Sequence, residues 1–204
     1  MTEYIFYTAY GLIQGITEFI PISSSGHLNI IEILFTKIDS RNLLYETTGH
    51  FASLLALLIY LFKNGHFIVS NFQSNFIAIC IATMPAFVIG LVFVLFRIDF
   101  VSLQLIGVTS ILGAILLYIS DAKIFRKIKI SNNRLKFFIA GLFQCLAFLP
   151  GFSRSGSCII AFQILGEDKK SSSVKSLYLG IPIILISFMA NILKLNEITV
   201  DLNL

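Results

Sequence analysis

Gln14 and Glu18 stand one helical turn apart, and Pro21-Ile22-Ser23-Ser24-Ser25-Gly26-His27 follows at once. Far along the chain, Pro150-Gly151-Phe152-Ser153-Arg154-Ser155-Gly156 separates two apolar stretches. A carboxylate, an imidazole, a guanidinium and several hydroxyls suffice for phosphoryl transfer, where positioning and charge stabilisation do most of the catalysis. Arg154 carries a planar fork suited to phosphate oxygens. At bilayer depth it costs at least about 2–3 kcal/mol, so an obligatory partner is expected, and a phosphate would serve. Glu18 would repel that phosphate unless its carboxyl holds a proton or a hard divalent cation, Mg2+ or Ca2+, lies between them. Histidine is the side chain whose ordinary titration lies nearest neutrality, which makes His27 a candidate acid or base. Ser24 and its neighbours Ser23 and Ser25 offer hydroxyls for attack or for binding metal or phosphate. All of this requires Glu18 and Arg154 to share one cavity in mid-bilayer.

The elements that must position these groups are helices in a membrane. Of 204 residues, 56% are hydrophobic and 13% charged, with mean hydropathy +0.88. That apolar excess rules out an ordinary soluble domain. Cys80, Cys145 and Cys158 all fall in apolar segments and suggest no disulfide framework. The N-terminus lacks the basic region of a signal peptide. The net charge of +4 is no nucleic-acid footprint, because the cations sit in loops between apolar spans. Spans are expected at 43–62, 75–96, 101–120 and 174–195. Two further stretches, 4–35 and 135–166, are each broken by a polar, glycine-containing segment. Non-helical backbone survives at that depth only inside protein or beside water, so both are expected to be re-entrant helix–loop–helix hairpins. A helix should start near Ser24 and another near Ser155. Their unpaired amides and positive dipole ends favour an anion, and Gly26 and Gly156 let it come close to the backbone.

The two broken stretches are related to each other. At a shift of 130 positions, Gly11, Leu12, Gln14, Ser23, Ser25 and Gly26 match Gly141, Leu142, Gln144, Ser153, Ser155 and Gly156. Six identities in sixteen positions, clustered at the break, indicate an internal duplication. Lys123, Arg126, Lys127, Lys129, Arg134 and Lys136 mark 121–136 as a cytoplasmic loop. Counting spans from it brings the first hairpin in from the outer face and the second from the inner. The expected architecture is therefore one all-α, polytopic integral membrane domain over 1–204 with an inverted-topology repeat. Repeat one covers about 1–120 and repeat two about 137–204. By the repeat's own logic two C-terminal spans are lacking. The chain then reads as a truncated product, a fragment, or a minimal variant in which a second copy, as a homodimer, supplies the missing wall.

GLIQGITEFIPISSSGH and FLPGFSRSG resemble the two signatures of the undecaprenyl-diphosphate phosphatases of the bacitracin-resistance type, and the similarity runs from about residue 9 to about 195. The resemblance implies an enzyme of the bacterial inner membrane, multi-pass, with its site opening to the outer, periplasmic face. It implies removal of the terminal phosphate of a polyprenyl diphosphate, amid membrane lipids and without nucleic acid, which recycles the lipid carrier for cell-wall glycans. The implied roles are Glu18 with Gln14 for a divalent cation, Arg154 for the diphosphate, Ser24 as nucleophile or phosphate ligand, and His27 as acid–base partner. Ser23, Ser25, Gly26, Ser153, Ser155 and Gly156 would contact substrate. The family's threonine two residues after the final glycine is replaced by Cys158, and Ser157 is the candidate substitute hydroxyl.

Two other functions compete with hydrolysis. One is a transporter that flips a polyprenyl phosphate, which needs the anion site but no nucleophile. The other is an inactive remnant that binds lipid phosphate. Glu18, Ser24 and His27 beside Arg154 exceed what anion binding requires. His50 and Glu46 could look into the site, but a helix-start role is favoured for both.

Overall fold

A computed structural model describes residues 2–34, 41–64, 69–96, 98, 101–122, 128 and 130–201. These form eight α-helices and one short 3-10 turn, and no strand occurs among them. The order is α1 (Thr2–Thr17), α2 (Ser24–Leu34), α3 (Arg41–Lys63), α4 (Val69–Leu95) and α5 (Leu103–Asp121). Then come α6 (Asn133–Gln144), the 3-10 turn Cys145–Phe148, α7 (Arg154–Ile164) and α8 (Lys169–Asp201). Four helices are long and apolar enough to cross a membrane: Leu43–Lys63, Asn75–Leu95, Leu103–Asp121 and Lys169–Leu195. Exposed Phe87, Val88 and Leu91 on α4 and Ile111, Leu112 and Ile115 on α5 form apolar outer faces, as hydrocarbon contact requires. Of the expected topogenic cations, Lys123, Arg126, Lys127 and Lys129 lie outside the described residues, as does His66.

Both breaks end on a serine that caps the next helix. Gly26 N donates to Ser23 Oγ and Gly156 N to Ser153 Oγ, each at 3.1 Å. The cap satisfies an amide that the helix start would leave bare. Ser153 is therefore the cap residue, and α7 begins at Arg154, one position before the expected Ser155. Asn132 caps α6 in the same manner, accepting from Arg134 N and Leu135 N. Asp168 accepts from Ser171 N, so α8 begins at Lys169, five residues before the apolar run starts.

The limbs of each broken unit lie side by side. Lys136 at the start of α6 pairs with Glu167 just past α7, which closes that unit at one end of the bundle. Asn133 Nδ2 donates to Asn75 Oδ1 near the start of α4 at 2.7 Å, and Lys169 Nζ donates to Asp121 Oδ2 at the end of α5 at 2.7 Å. In the first unit, Tyr10 Oη donates to Glu32 Oε1 at 3.1 Å. Its Tyr7 ring stacks on Tyr45, near the start of α3, with centroids 3.8 Å apart. The main core joins α3, α4, α6, α7 and α8 through residues such as Leu61, Ala82, Phe137, Phe162 and Leu179. A smaller cluster of Phe6, Tyr10 and Leu28 binds α1 to α2.

Candidate active site

The two breaks meet. Ser155 Oγ donates to Ile20 O at 3.1 Å. A Cβ on Gly26 would lie 3.3 Å from Gly151 Cα, and one on Gly156 would lie 3.3 Å from Pro21 O. Backbone approaches this close need glycine. Gly151 itself has φ +98°, and a Cβ there would overlap Thr109 and Ser110 of α5. Those two hydroxyls hold the break from outside: Thr109 Oγ1 donates to Pro150 O, and Ser110 Oγ donates to Gly151 O at 3.3 Å. They answer the need to satisfy irregular backbone at membrane depth.

At the junction Arg154 Nη2 donates to Glu18 Oε1 at 3.0 Å, and both side chains are nearly buried. Two residues 136 positions apart thus form one ion pair. The expectation of an obligatory partner for Arg154 is met by Glu18 directly. The other carboxylate oxygen, Oε2, accepts from Ser24 Oγ at 2.9 Å and from Gln14 Nε2 at 3.2 Å. Every group on Glu18 is a donor, so both carboxylate oxygens are engaged by hydrogen bonds, one of them to a guanidinium. Arg154 Nη1, by contrast, is buried without an acceptor. It lies against α8 at Gly180, where a Cβ would stand 2.4 Å away.

His27 lies in the first turn of α2, after the Ser23 cap. Its Nδ1 is 2.6 Å from Ser23 O. A carbonyl only accepts, so Nδ1 carries the hydrogen of this contact. His27, Ser23, Ser153, Gly156 and Ser157 line a cavity of about 970 Å³. Glu18, Ser24 and Arg154 do not line it. Gln14 lines a second cavity of about 450 Å³ between α1 and α3, rimmed by Tyr7 and Tyr45. Ser25 is exposed, and its Oγ lies 3.3 Å from Ser23 Oγ. Ser155 and Ser157 direct their hydroxyls to backbone carbonyls.

A sequence model of the family described as bacitracin resistance protein BacA matches residues 7–203. The chain belongs to the BacA family. It is 37% identical over 177 residues to the undecaprenyl-diphosphatase of Pelagibacter ubique (strain HTCC1062), covering 85% of this chain and 68% of that protein. With the undecaprenyl-diphosphatase of Prochlorococcus marinus (strain MIT 9515) it shares 35% identity over 213 residues, 96% of this chain and 79% of the relative. The undecaprenyl-diphosphatase of Methanococcus maripaludis (strain C5 / ATCC BAA-1333) is 35% identical over 199 residues, 93% of this chain and 78% of the relative.

In this BacA-family chain the sequence reading gave no role at the site to three residues, Gly180, Thr109 and Ser110. Gly180 makes room for the guanidinium; its signal was a glycine in the middle of an apolar span. Thr109 and Ser110 secure the second break; their signal was paired hydroxyls within α5. His50, for which a helix start was favoured over a place at the site, lies inside α3 within electrostatic range of Glu18 and Arg154. Its Nε2 is 3.6 Å from Glu46 Oε1, and its buried Nδ1 lacks a partner.

Proposed function

We propose that this BacA-family chain hydrolyses undecaprenyl diphosphate to undecaprenyl phosphate and inorganic phosphate. The observation that carries the reading is the Glu18–Arg154 pair at 3.0 Å, with a hydroxyl on the carboxylate and an unused guanidinium nitrogen beside it. The arriving phosphate draws Arg154 into a bidentate contact. Glu18, released from the guanidinium, then accepts the Ser24 proton as Oγ attacks the terminal phosphorus and the bond to the polyprenyl phosphate oxygen breaks. His27 Nε2 accepts a proton from the water that attacks the phosphoserine phosphorus, the bond from phosphorus to Ser24 Oγ breaks, and Glu18 returns its proton to Oγ as inorganic phosphate leaves. Arg154 offsets the charge on the transferring phosphoryl group.

A divalent cation fits here in one mode. Among the described residues no three His, Cys, Asp or Glu side chains cluster, so there is no all-protein cage. One carboxylate (Glu18), the Gln14 amide oxygen and the Ser24 hydroxyl suit a hard ion that also takes substrate phosphate oxygens. When bound, such an ion would neutralise phosphate charge.

Lysine placement supports a membrane orientation with the Lys136–Glu167–Lys175 end in the cytoplasm. The end contacts of the two broken units support entry from opposite faces, as re-entrant hairpins of an inverted repeat. The site then reaches the outer face through the cavity at Gln14. The wider cavity extends to the Asp121–Lys169 pair at the lysine end, and that favours a second reading, movement of polyprenyl phosphate between leaflets. Phosphate release from undecaprenyl diphosphate by purified protein, with and without chelator, separates the two. Metal-dependent release that Glu18→Ala, Ser24→Ala and Arg154→Ala each reduce at least about a hundredfold is expected. Intact substrate with well-folded protein would sink hydrolysis.

A further inference from the structure

A second polar group, unused by the chemistry of Glu18 and Ser24, borders the ion pair. Gly49 brings α3 against α1, where a Cβ would stand 3.0 Å from Gln14 Cγ. The next residue, His50, is mostly buried and lies within electrostatic range of both Glu18 and Arg154. Its Nε2 faces Glu46 Oε1, one helical turn away, at 3.6 Å, an ion-pair distance too long for a hydrogen bond. Asn191 and Lys194 of α8 lie beside Glu46. Just past His50 the rings of Phe51 and Phe188 pack α3 on α8, with centroids 5.3 Å apart. Among the described residues four buried side-chain nitrogens and oxygens lack a hydrogen-bond partner. Three of them belong here: His50 Nδ1, Arg154 Nη1 and Asn191 Nδ2. Orphaned buried polar groups are rare and costly, and three along one seam of α3, α7 and α8 point to a polar ligand.

We propose that His50 is a phosphate-binding residue of this site, presenting Nδ1 to an oxygen of the terminal phosphoryl group beside the free Arg154 nitrogen. The inference rests on the diphosphatase reading and adds a side chain to its site. Glu46, which orients the ring through Nε2, is a positioning residue. Phosphate is the ligand whose chemistry answers both groups. Its bare oxygens accept from the guanidinium and from an imidazole N–H. A phosphate hydroxyl donates to an imidazole lone pair, so either form of the ring makes the contact. A cation would be repelled by Arg154, and hydrocarbon would leave both nitrogens unmet. The terminal phosphoryl group departs as inorganic phosphate, so the same contact holds the product.

The test uses the full chain in detergent, with inorganic phosphate as a probe that needs no hydrolysis. In His50→Leu the Kd for phosphate should rise at least tenfold, the size expected for one hydrogen bond to a charged group. The kcat/KM on undecaprenyl diphosphate should fall by a similar factor. His50→Asn returns an amide near the place of Nδ1 and should recover most of both losses. Glu46→Gln should weaken phosphate binding about threefold in the parent protein and leave it unchanged in the His50→Leu background, a coupling that a merely structural role would not give. In the parent protein the nitrogen NMR signal of His50 Nδ1 should shift as phosphate saturates the site. An unchanged Kd in well-folded His50→Leu overturns the proposal, and so does an unmoved His50 signal, whether or not that variant folds. Phosphate binding that depends on His50, without release from undecaprenyl diphosphate, would keep this contact and remove the hydrolase reading. Release by a protein whose phosphate binding ignores His50 would do the reverse.

Discussion

The two broken units share a frame and divide the chemistry. In both, a glutamine in the first limb is almost wholly buried, Gln14 and Gln144. In both, a serine caps the second limb through a glycine amide. Both pairs of flanking serines lie oxygen to oxygen, at 3.3 and 3.1 Å. The differences fall on the reactive positions. The counterpart of Glu18 is Phe148, which packs near Phe93 with ring centroids 5.1 Å apart. The counterpart of Arg154 is Ser24. Gln144 donates to Ala82 O at 2.9 Å, whereas Gln14 donates to Glu18. One copy thus supplies the acid and a hydroxyl, the other the cation, and neither unit alone holds the pair. The shared caps and buried glutamines make the two units alike, and the differences at two positions make the site.

The largest test of that division is to exchange the charges. Glu18→Ala or Arg154→Ala leaves one buried charge without its partner, which costs about 3–5 kcal/mol, and thermal unfolding should show it. The double variant Glu18→Arg with Arg154→Glu should regain much of that stability and still release no phosphate. The reason is that Ser24 and Gln14 stay with position 18, where the new guanidinium cannot accept their hydrogens. Turnover by the exchanged protein would mean that only the pair matters, and not which unit carries which charge.

A smaller effect separates the packing of the two first limbs. Gly141 of α6 lies against α4, where a Cβ would stand 2.2 Å from Ala82 O. Its counterpart Gly11 has nothing within 4 Å. Gly141→Ala should destabilise by about 1–3 kcal/mol through overpacking. Gly11→Ala should be neutral or stabilise by up to about 1 kcal/mol, since alanine is the better helix former. Melting temperatures of the two variants read this directly, and equal losses would contradict the asymmetry.

The smallest effect lies at the closed end of the second unit. Burial alone would raise the Glu167 pKa, but hydrogen bonds from Lys136, Lys175 and Ser171 outweigh it and hold the carboxyl at about 2. A depressed carboxylate stabilises the fold above its unfolded pKa of 4.5 and loses that contribution as pH falls towards 2. The melting temperature of the parent should therefore approach that of Glu167→Gln as pH drops from 6 to 3. A constant gap between them would show that the carboxylate is not what closes this unit.

Much of the fold was legible because the hydrocarbon core imposes a simple rule on span length and polarity. All four spans, both breaks and the offset between the units could be read from residue type. What was misread depended on local caps or on helix rotation. Asp168 as a cap starts α8 at Lys169, where charges at a helix end are tolerated. The first limb of unit two ends in a 3-10 turn at Cys145–Phe148. His50 comes within electrostatic range of the ion pair only because of how α3 packs against its neighbours.

By itself the sequence determined that there are helices of membrane length, two interrupted units, and an acid and an arginine that hydrocarbon would not tolerate alone. Each of these follows from burial cost, which depends on residue type and run length. Only the tertiary structure decided that the arginine's partner is Glu18 and that Gly180 is the surface it rests on. Those are contacts between segments far apart in the chain, set by how helices pack and turn against one another, and no local pattern encodes them.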